Sequence, residues 1–373
     1  MRSRIAIILA SIAVTLVVLE FGARFYLSQY GDERQKILYL YSRDEINQKQ
    51  TLLRGLAYLN YGLSTTRDGV NSLGYRGPEI AVPKPDAVYR IVAIGGSTTY
   101  GLFLDLWQLA YPQQLQETLR NDYGFGAVEV INAGVPQYST WESAVNLLLR
   151  IPDLEPDLII IYHGINDVGV RLTDPDFYDG LNSGKGYWVD RDDPLPPSVL
   201  WRFALKRLGY ELPVAYELDT TFRRPAGIRS CDQDDSGPEP VCQGFDMAAN
   251  DVMRANPPIY FERNLRNMIR LARGMNSDVL LLTWAYSPLE FPEAGGGGMV
   301  HQYLQDGVDE HNAIVRRLAE QERTLYFDLA ASMPVDEVYW VNGVHMKAAG
   351  TAEMARQVAA YLAGSGALLA QTG

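Results

Sequence analysis

The stretch YRIVAIGGSTTYG, Tyr89 to Gly101, decides the fold. It begins with a short apolar run, too short for a helix, and breaks off in two glycines followed by a serine. An apolar run of this length without polar alternation is the pattern of a strand buried on both faces, as the central strand of a parallel sheet must be. Similar runs recur at Val128 to Asn132, Leu158 to His163, Val279 to Trp284 and Thr324 to Leu329. Between and after them lie amphipathic stretches at Tyr111 to Asn121, Thr140 to Ile151, Phe261 to Met275, His301 to Glu322 and Ala348 to Ala363. The alternation predicts an α/β protein in which five parallel strands carry helices on both faces, a three-layer α/β/α sandwich.

Open parallel sheets bind ligands beyond the carboxyl ends of their strands, so the loops leaving those strands are the place to look for chemistry. Four carry unusual residues: AIGGSTTYG (93–101) with Ser97, INAGVPQYST (131–140) with Gly134, YHGIND (162–167) with Asn166, and YWVNGVHMKAAG (339–350) with Asn342 and His345. Taken singly, each reads as a turn or a helix cap. Together they suit acyl transfer. A serine hydroxyl is a poor nucleophile until a base takes its proton, and His345 is the candidate base for Ser97. The backbone amides of Ser97 and Gly134 and the side-chain amide of Asn166 are candidate donors to the oxyanion that forms on the attacked carbonyl. Tyr100, Trp188 and Trp201 are aromatic candidates for an acyl or sugar pocket or for packing, His163 reads as a strand-end residue in the site wall, and His301 and His311 read as surface residues of a helix.

The order Ser, Gly, Asn, His in successive strand-end loops resembles the SGNH superfamily, also called GDSL hydrolases. GGST (95–98) stands for its GDS block, INAG (131–134) for the glycine block, GIND (164–167) for GxND and NGVH (342–345) for DxxH. The resemblance runs from about Val88 to Leu362 apart from an insertion. It implies a flavodoxin-like sandwich and the chemistry of an esterase, lipase, or carbohydrate acetylesterase or acetyltransferase, without metal or cofactor. The sequence departs from the pattern at Gly96, where Asp is commoner, and at Asn342, where the family has the Asp that orients the histidine. Asn342 can accept the Nδ1 proton through its carbonyl oxygen, though it stabilises the imidazolium less than a carboxylate does. The alternatives are Asp336 or Glu337 from the same loop, Asp336 being preferred, or a backbone carbonyl serving a Ser-His dyad. Other serine and nucleotide folds fit worse: GGSTT lacks the closing glycine of G-x-S-x-G, and neither a P-loop nor G-x-G-x-x-G occurs.

The rest of the chain says where such chemistry would take place. Arg2 and Arg4 precede the uncharged run Ile5 to Leu19, and apolar character continues to Leu27 past Glu20 and Arg24. That is about the ~20 residues a bilayer span needs, and Phe21-Gly22-Ala23 is a poor cleavage site, so the segment reads as an uncleaved signal anchor. The arginines place its start in the cytoplasm and the bulk of the chain in the periplasm or outside the cell. A formal net charge of −12 excludes a cationic stripe for nucleic acid. Cys231 and Cys242, the only cysteines, read as a disulfide in an exported protein. The organisation expected is an anchor at 1–29, a linker and extension at 30–86 carrying the unassigned turn-rich NSLGYRG (71–77), a catalytic domain at 87–365 with an insertion at 170–258 read as a cap over the site, and a tail at 366–373. Gly295 to Gly298 reads as a flexible tip. The chain is expected to be a serine esterase or O-acyltransferase acting on an acylated glycan or lipid. The competing reading is a weakly active or inactive subunit or glycan-binding module of a membrane assembly.

Overall fold

In the computed structural model the described residues are 2–32, 35–42, 45–46, 52–56, 59–65, 69–180, 187–188, 195–210, 212, 222–223, 241–242, 247–291 and 301–368. Cys231, one half of the expected Cys231–Cys242 bridge, and the Gly295–Gly298 tip lie outside them. In chain order the elements used below are α1 (Arg2–Tyr30), β1 (Tyr89–Gly95), α2 (Ser97–Tyr100), α3 (Tyr111–Asn121), β2 (Val128–Gly134), α4 (Thr140–Leu149), β3 (Leu158–Tyr162), α5 (Ile165–Arg171), α6 (Val199–Arg207), α7 (Ile259–Gly274), β4 (Asp278–Leu282), α8 (Gln302–Glu322), β5 (Leu325–Phe327) and α9 (Ala348–Ser365).

The chain divides into two compact units. The larger, residues 55–187 and 222–373, holds a five-stranded sheet in the order β5-β4-β3-β1-β2. All four pairings are parallel. Successive residues of β1 serve opposite layers: Ile91 and Ala93 join the core beneath α3 and α9, whereas Val92 and Ile94 join the core beneath α4 and α7. All four are fully buried, which is why the strand reads as an unbroken apolar run. Each such aliphatic side chain contributes roughly 1.5–3 kcal/mol by leaving water. The expected α/β/α sandwich is the fold observed.

The strand order reverses at β1, since the chain steps from β1 to β2 on one side and then crosses to β3 on the other. Loops leaving β1 and β3 therefore diverge around a crevice at the carboxyl edge of the sheet, where Ser97 opens α2 and Asn166 lies in the first turn of α5.

The unassigned NSLGYRG stretch proves to brace this edge. Asn71 Oδ1 accepts hydrogen bonds from the backbone of Leu73 and Tyr75, 3.1 and 3.0 Å long, which forms the turn. Arg76 pairs its backbone with Asn132 of β2, donates to the Leu104 carbonyl at 2.9 Å, and lays its guanidinium 4.0 Å from the centre of the Tyr100 ring. Tyr100 is thus buried packing behind the serine turn.

The smaller unit consists of residues 1–54 and 188–221. It takes in α1, α6 and a π-helical turn at Lys36–Leu40. α1 is long and apolar enough to cross a membrane. The central part of the insertion read as a cap therefore packs with α1. Its Trp201, a candidate pocket residue, belongs to this unit, while the side chain of Trp188 lies outside the described residues.

One reading of a helix face is corrected as well. His311 is buried, stacked 4.1 Å from the Phe261 ring, because position 311 shares the inward stripe of α8 with Val308 and Val315.

Candidate active site

Ser97 and His345 are 248 residues apart in sequence, yet the Ser97 hydroxyl lies 2.9 Å from His345 Nε2. The histidine is presented by a closed loop: Trp340 bridges Met346, the Val341 amide donates to the His345 carbonyl at 2.8 Å, and the Trp340 indole is anchored on the Pro334 carbonyl. On the far side of the ring, His345 Nδ1 is 3.1 Å from Asn342 Oδ1. The same oxygen accepts the backbone amides of Val344 and His345 at 3.0 and 2.8 Å. Two backbone donors converging on that atom identify it as the amide oxygen, so Nδ1 must carry the proton it shares with Asn342. Nε2 is then left with a lone pair facing the serine hydroxyl, as a general base requires.

Asn342 therefore holds the position for which Asp336 was preferred. Asp336 is exposed, and the hydrogen bond found at this residue is from Tyr339 N–H to its backbone carbonyl. Side-chain direction explains the difference: Asn342 begins the tight turn and folds its amide back over it, whereas Asp336 faces water. With no carboxylate facing the imidazole, burial alone acts on it and pushes the His345 pKa down to about 4.

The expected oxyanion donors are not equivalent. Ser97 N–H opens α2, before any preceding turn can accept it. Asn166 Nδ2 donates one hydrogen to the Tyr138 carbonyl at 2.9 Å, which leaves its second to point elsewhere. Gly96 makes room for this amide, since a Cβ there would come 2.6 Å from Asn166 Nδ2. The departure from Asp at position 96 thus has a steric counterpart. Gly134 differs from both. Its N–H donates to Asn132 Oδ1 at 3.0 Å, and a Cβ on it would meet Tyr100 N at 2.4 Å. The glycine lets β2 press against the serine turn, and its amide is committed to Asn132. Asn132 Nδ2 in turn donates to the Thr99 carbonyl at 2.9 Å, tying β2 to that turn.

Sequence reasoning missed two features. Phe103 takes a left-handed backbone, φ 70°, rare for an aromatic residue, and holds its 60% exposed ring edge-on to His345 at 5.0 Å. Leu106, three residues further along, is 58% exposed. The apolar run Leu102-Phe103-Leu104 directly after the serine turn was the only signal available. The second is a buried network: His163 Nε2 lies 2.8 Å from Ser143 Oγ, and Asp167 Oδ1 accepts Thr140 N–H and Oγ–H at 2.9 and 2.6 Å. His163 and Asp167 thus secure α4 from within the site wall. Among the described residues no group of three or more His, Cys, Asp or Glu is placed to hold a metal ion.

A parallel sandwich with a serine, an imidazole and amide donors gathered at the reversal of strand order is the arrangement expected of the SGNH class. The profile of the GDSL-like Lipase/Acylhydrolase family matches residues 93–208 and 245–352, more than half of the chain, and the protein belongs to that family. Ester hydrolysis is the chemistry of the family. Similar solved structures include TesA, 16% identical over 74% of this chain and 98% of its own, with a TM-score of 0.42. A GDSL-like lipase from Bacteroides thetaiotaomicron is 15% identical over 76% of this chain and 91% of its own, with a TM-score of 0.40. Axe2, an acetylxylan esterase from Geobacillus stearothermophilus, is 15% identical over 74% and 94%, with a TM-score of 0.41. No curated protein matches the chain.

Proposed function

We propose that the protein is a membrane-anchored serine esterase or O-acyltransferase acting on acyl esters of a glycan or lipid outside the cytoplasm. The observation that carries this reading is the unbroken relay from Ser97 Oγ through His345 to Asn342, with spans of 2.9 and 3.1 Å. Ser97 Oγ attacks the ester carbonyl carbon while its proton passes to His345 Nε2. Negative charge collects on the former carbonyl oxygen, toward which Ser97 N–H and the second Asn166 Nδ2 hydrogen are directed. Collapse breaks the bond to the alcohol, which leaves with the proton held on Nε2, and an acyl-serine remains. Water or a sugar hydroxyl then gives its proton to the same nitrogen and takes the acyl group; the acyl bond to Ser97 Oγ breaks, and Nε2 returns the proton to that oxygen. The exposed Phe103 and Leu106 side chains suit an acyl chain or a sugar face. The arginines at the start of α1 orient the anchor so that the catalytic unit lies across the membrane from them.

Labelling the full chain with a fluorophosphonate tests the reading. Wild type should be labelled and Ser97→Ala should not; equal labelling of both removes Ser97 from the chemistry. A second reading, a glycan-binding module without turnover, is favoured by the neutral Asn342. Absence of hydrolysis of short-chain p-nitrophenyl esters, together with specific retention of glycan, would decide for it. Capture of the acyl group by an added sugar would separate a transferase from a hydrolase.

A further inference from the structure

The insertion helix α6 is joined to the anchor at one level. Glu20 is the first charge after the uncharged run Ile5 to Leu19. Its carboxylate accepts the backbone amides of Val199 and Leu200 at 2.9 and 3.1 Å and the Ser198 hydroxyl at 2.8 Å, so a residue of α1 caps the first turn of α6. Arg24, paired with Glu20 at 2.8 Å, donates to the Pro197 carbonyl, and Leu27 one turn further is buried. Residues 20, 24 and 27 form one face of α1, and that face holds the insertion.

The inward side of α6 is equally well fixed. Val199 is buried, and buried Arg202 donates to the carbonyls of Pro196 and Tyr41 at 2.6 and 2.7 Å. The outward side is largely exposed among the described residues. Trp201 and Leu208, two turns apart on one stripe with Ala204, are 56% and 70% exposed, and Lys206 and Arg207 flank them. On α1, Phe21, Phe25 and Tyr30 are likewise 65% exposed or more, just beyond the apolar run. Exposed aromatics at the end of a span, beside an amphipathic helix with basic flanks, make up the pattern of a membrane–water boundary.

We propose that α6 is an interfacial membrane helix, held at the bilayer surface by Glu20 and laying Trp201 and Leu208 into the boundary between lipid headgroups and acyl chains. The occupant of the stripe is lipid, because the stripe begins at the level of Glu20, where the uncharged run Ile5 to Leu19 of α1 ends. The inference rests on reading α1 as a retained span, but not on the chemistry at Ser97. It gives the insertion a task other than covering the site: fixing the smaller unit to the membrane at two places.

The test uses the full chain in vesicles of phosphatidylcholine and phosphatidylglycerol carrying bromine near the headgroup end of the acyl chains. Bromine should quench the Trp201 contribution, taken as wild type minus Trp201→Phe, roughly twofold or more, and aqueous iodide should barely affect it. Leu208→Asp should reverse that preference while the protein still sediments with the vesicles. A Trp201 contribution open to iodide and untouched by bromine overturns the proposal. Protection from both quenchers overturns it too and points to a protein partner on the stripe. Loss of the wild-type chain from vesicles washed at high pH would instead show that α1 is no span, a failure distinct from that of α6.

Discussion

The larger unit contains two serine–histidine pairs, and they differ in a way that inverts expectation. Ser143 lies 2.8 Å from His163, whose Nδ1 is 3.8 Å from the carboxylate of Asp167. Ser97 lies 2.9 Å from His345, which is backed only by the amide of Asn342. By residue type the first is the better triad. Yet Ser143 is fully buried, and its neighbours spend their hydrogen bonds on α4, where no substrate carbonyl can reach. The second pair stands half-buried at the mouth of the crevice, with amide donors beside it and the Phe103 ring edge-on to its histidine. A reactive site is thus defined by access and by donors left unspent, more than by the identities of three residues.

The sharpest break between the two pairs comes from removing each hydroxyl. Ser97→Ala should lower ester turnover by about 10⁵-fold or more, whereas Ser143→Ala should leave it within a few-fold. Comparable losses in p-nitrophenyl ester assays would mean that the buried pair takes part. Next in size is Asn166→Ala, which should cost about 100-fold in kcat with little change in KM if its free hydrogen meets the oxyanion. A change confined to KM would assign Asn166 to substrate binding.

The contrast between amide and carboxylate can be made within one site. With His345 lowered to about 4, the base stays neutral and wild-type activity should hold through mildly acidic pH, falling only as the imidazole gains its proton near 4. In Asn342→Asp the new carboxylate would favour the imidazolium, so the acid limb should move to higher pH and kcat on the plateau should rise roughly tenfold. An unmoved limb in the pH–rate profile would dissociate that titration from His345. The smallest effect concerns stability. Thr140→Val removes the hydroxyl that Asp167 and Asn264 share, at 2.6 and 3.1 Å, and should cost about 1–2 kcal/mol in denaturant unfolding with turnover little changed. A large loss of turnover at unchanged stability would draw the buried network into the chemistry.

The positions of Ser97, Asn166 and His345 were legible because each follows an element whose own pattern is strong. Buried parallel strands read as apolar runs, and the loops after them could be located before any contact was known. Gly134 was harder to read: it lies at the right strand end, but the close approach of the serine turn and the side chain of Asn132 determine what its amide does. NSLGYRG showed itself as turns, while its purpose depended on an antiparallel bridge to Asn132, more than 50 residues away. The fate of the 188–221 segment depended on Glu20, roughly 180 residues earlier.

By itself, then, the sequence determined the apolar N-terminal helix, the three-layer sandwich and the loops that could carry chemistry, because hydrophobic periodicity and strand ends are local properties of the chain. Only the tertiary structure decided that Asn342 and not Asp336 backs the histidine, that Gly134 is committed elsewhere, and that the insertion helix is capped by α1. Each of these is a matter of where a side chain or an amide points after distant segments have packed, and one-dimensional spacing does not encode that direction.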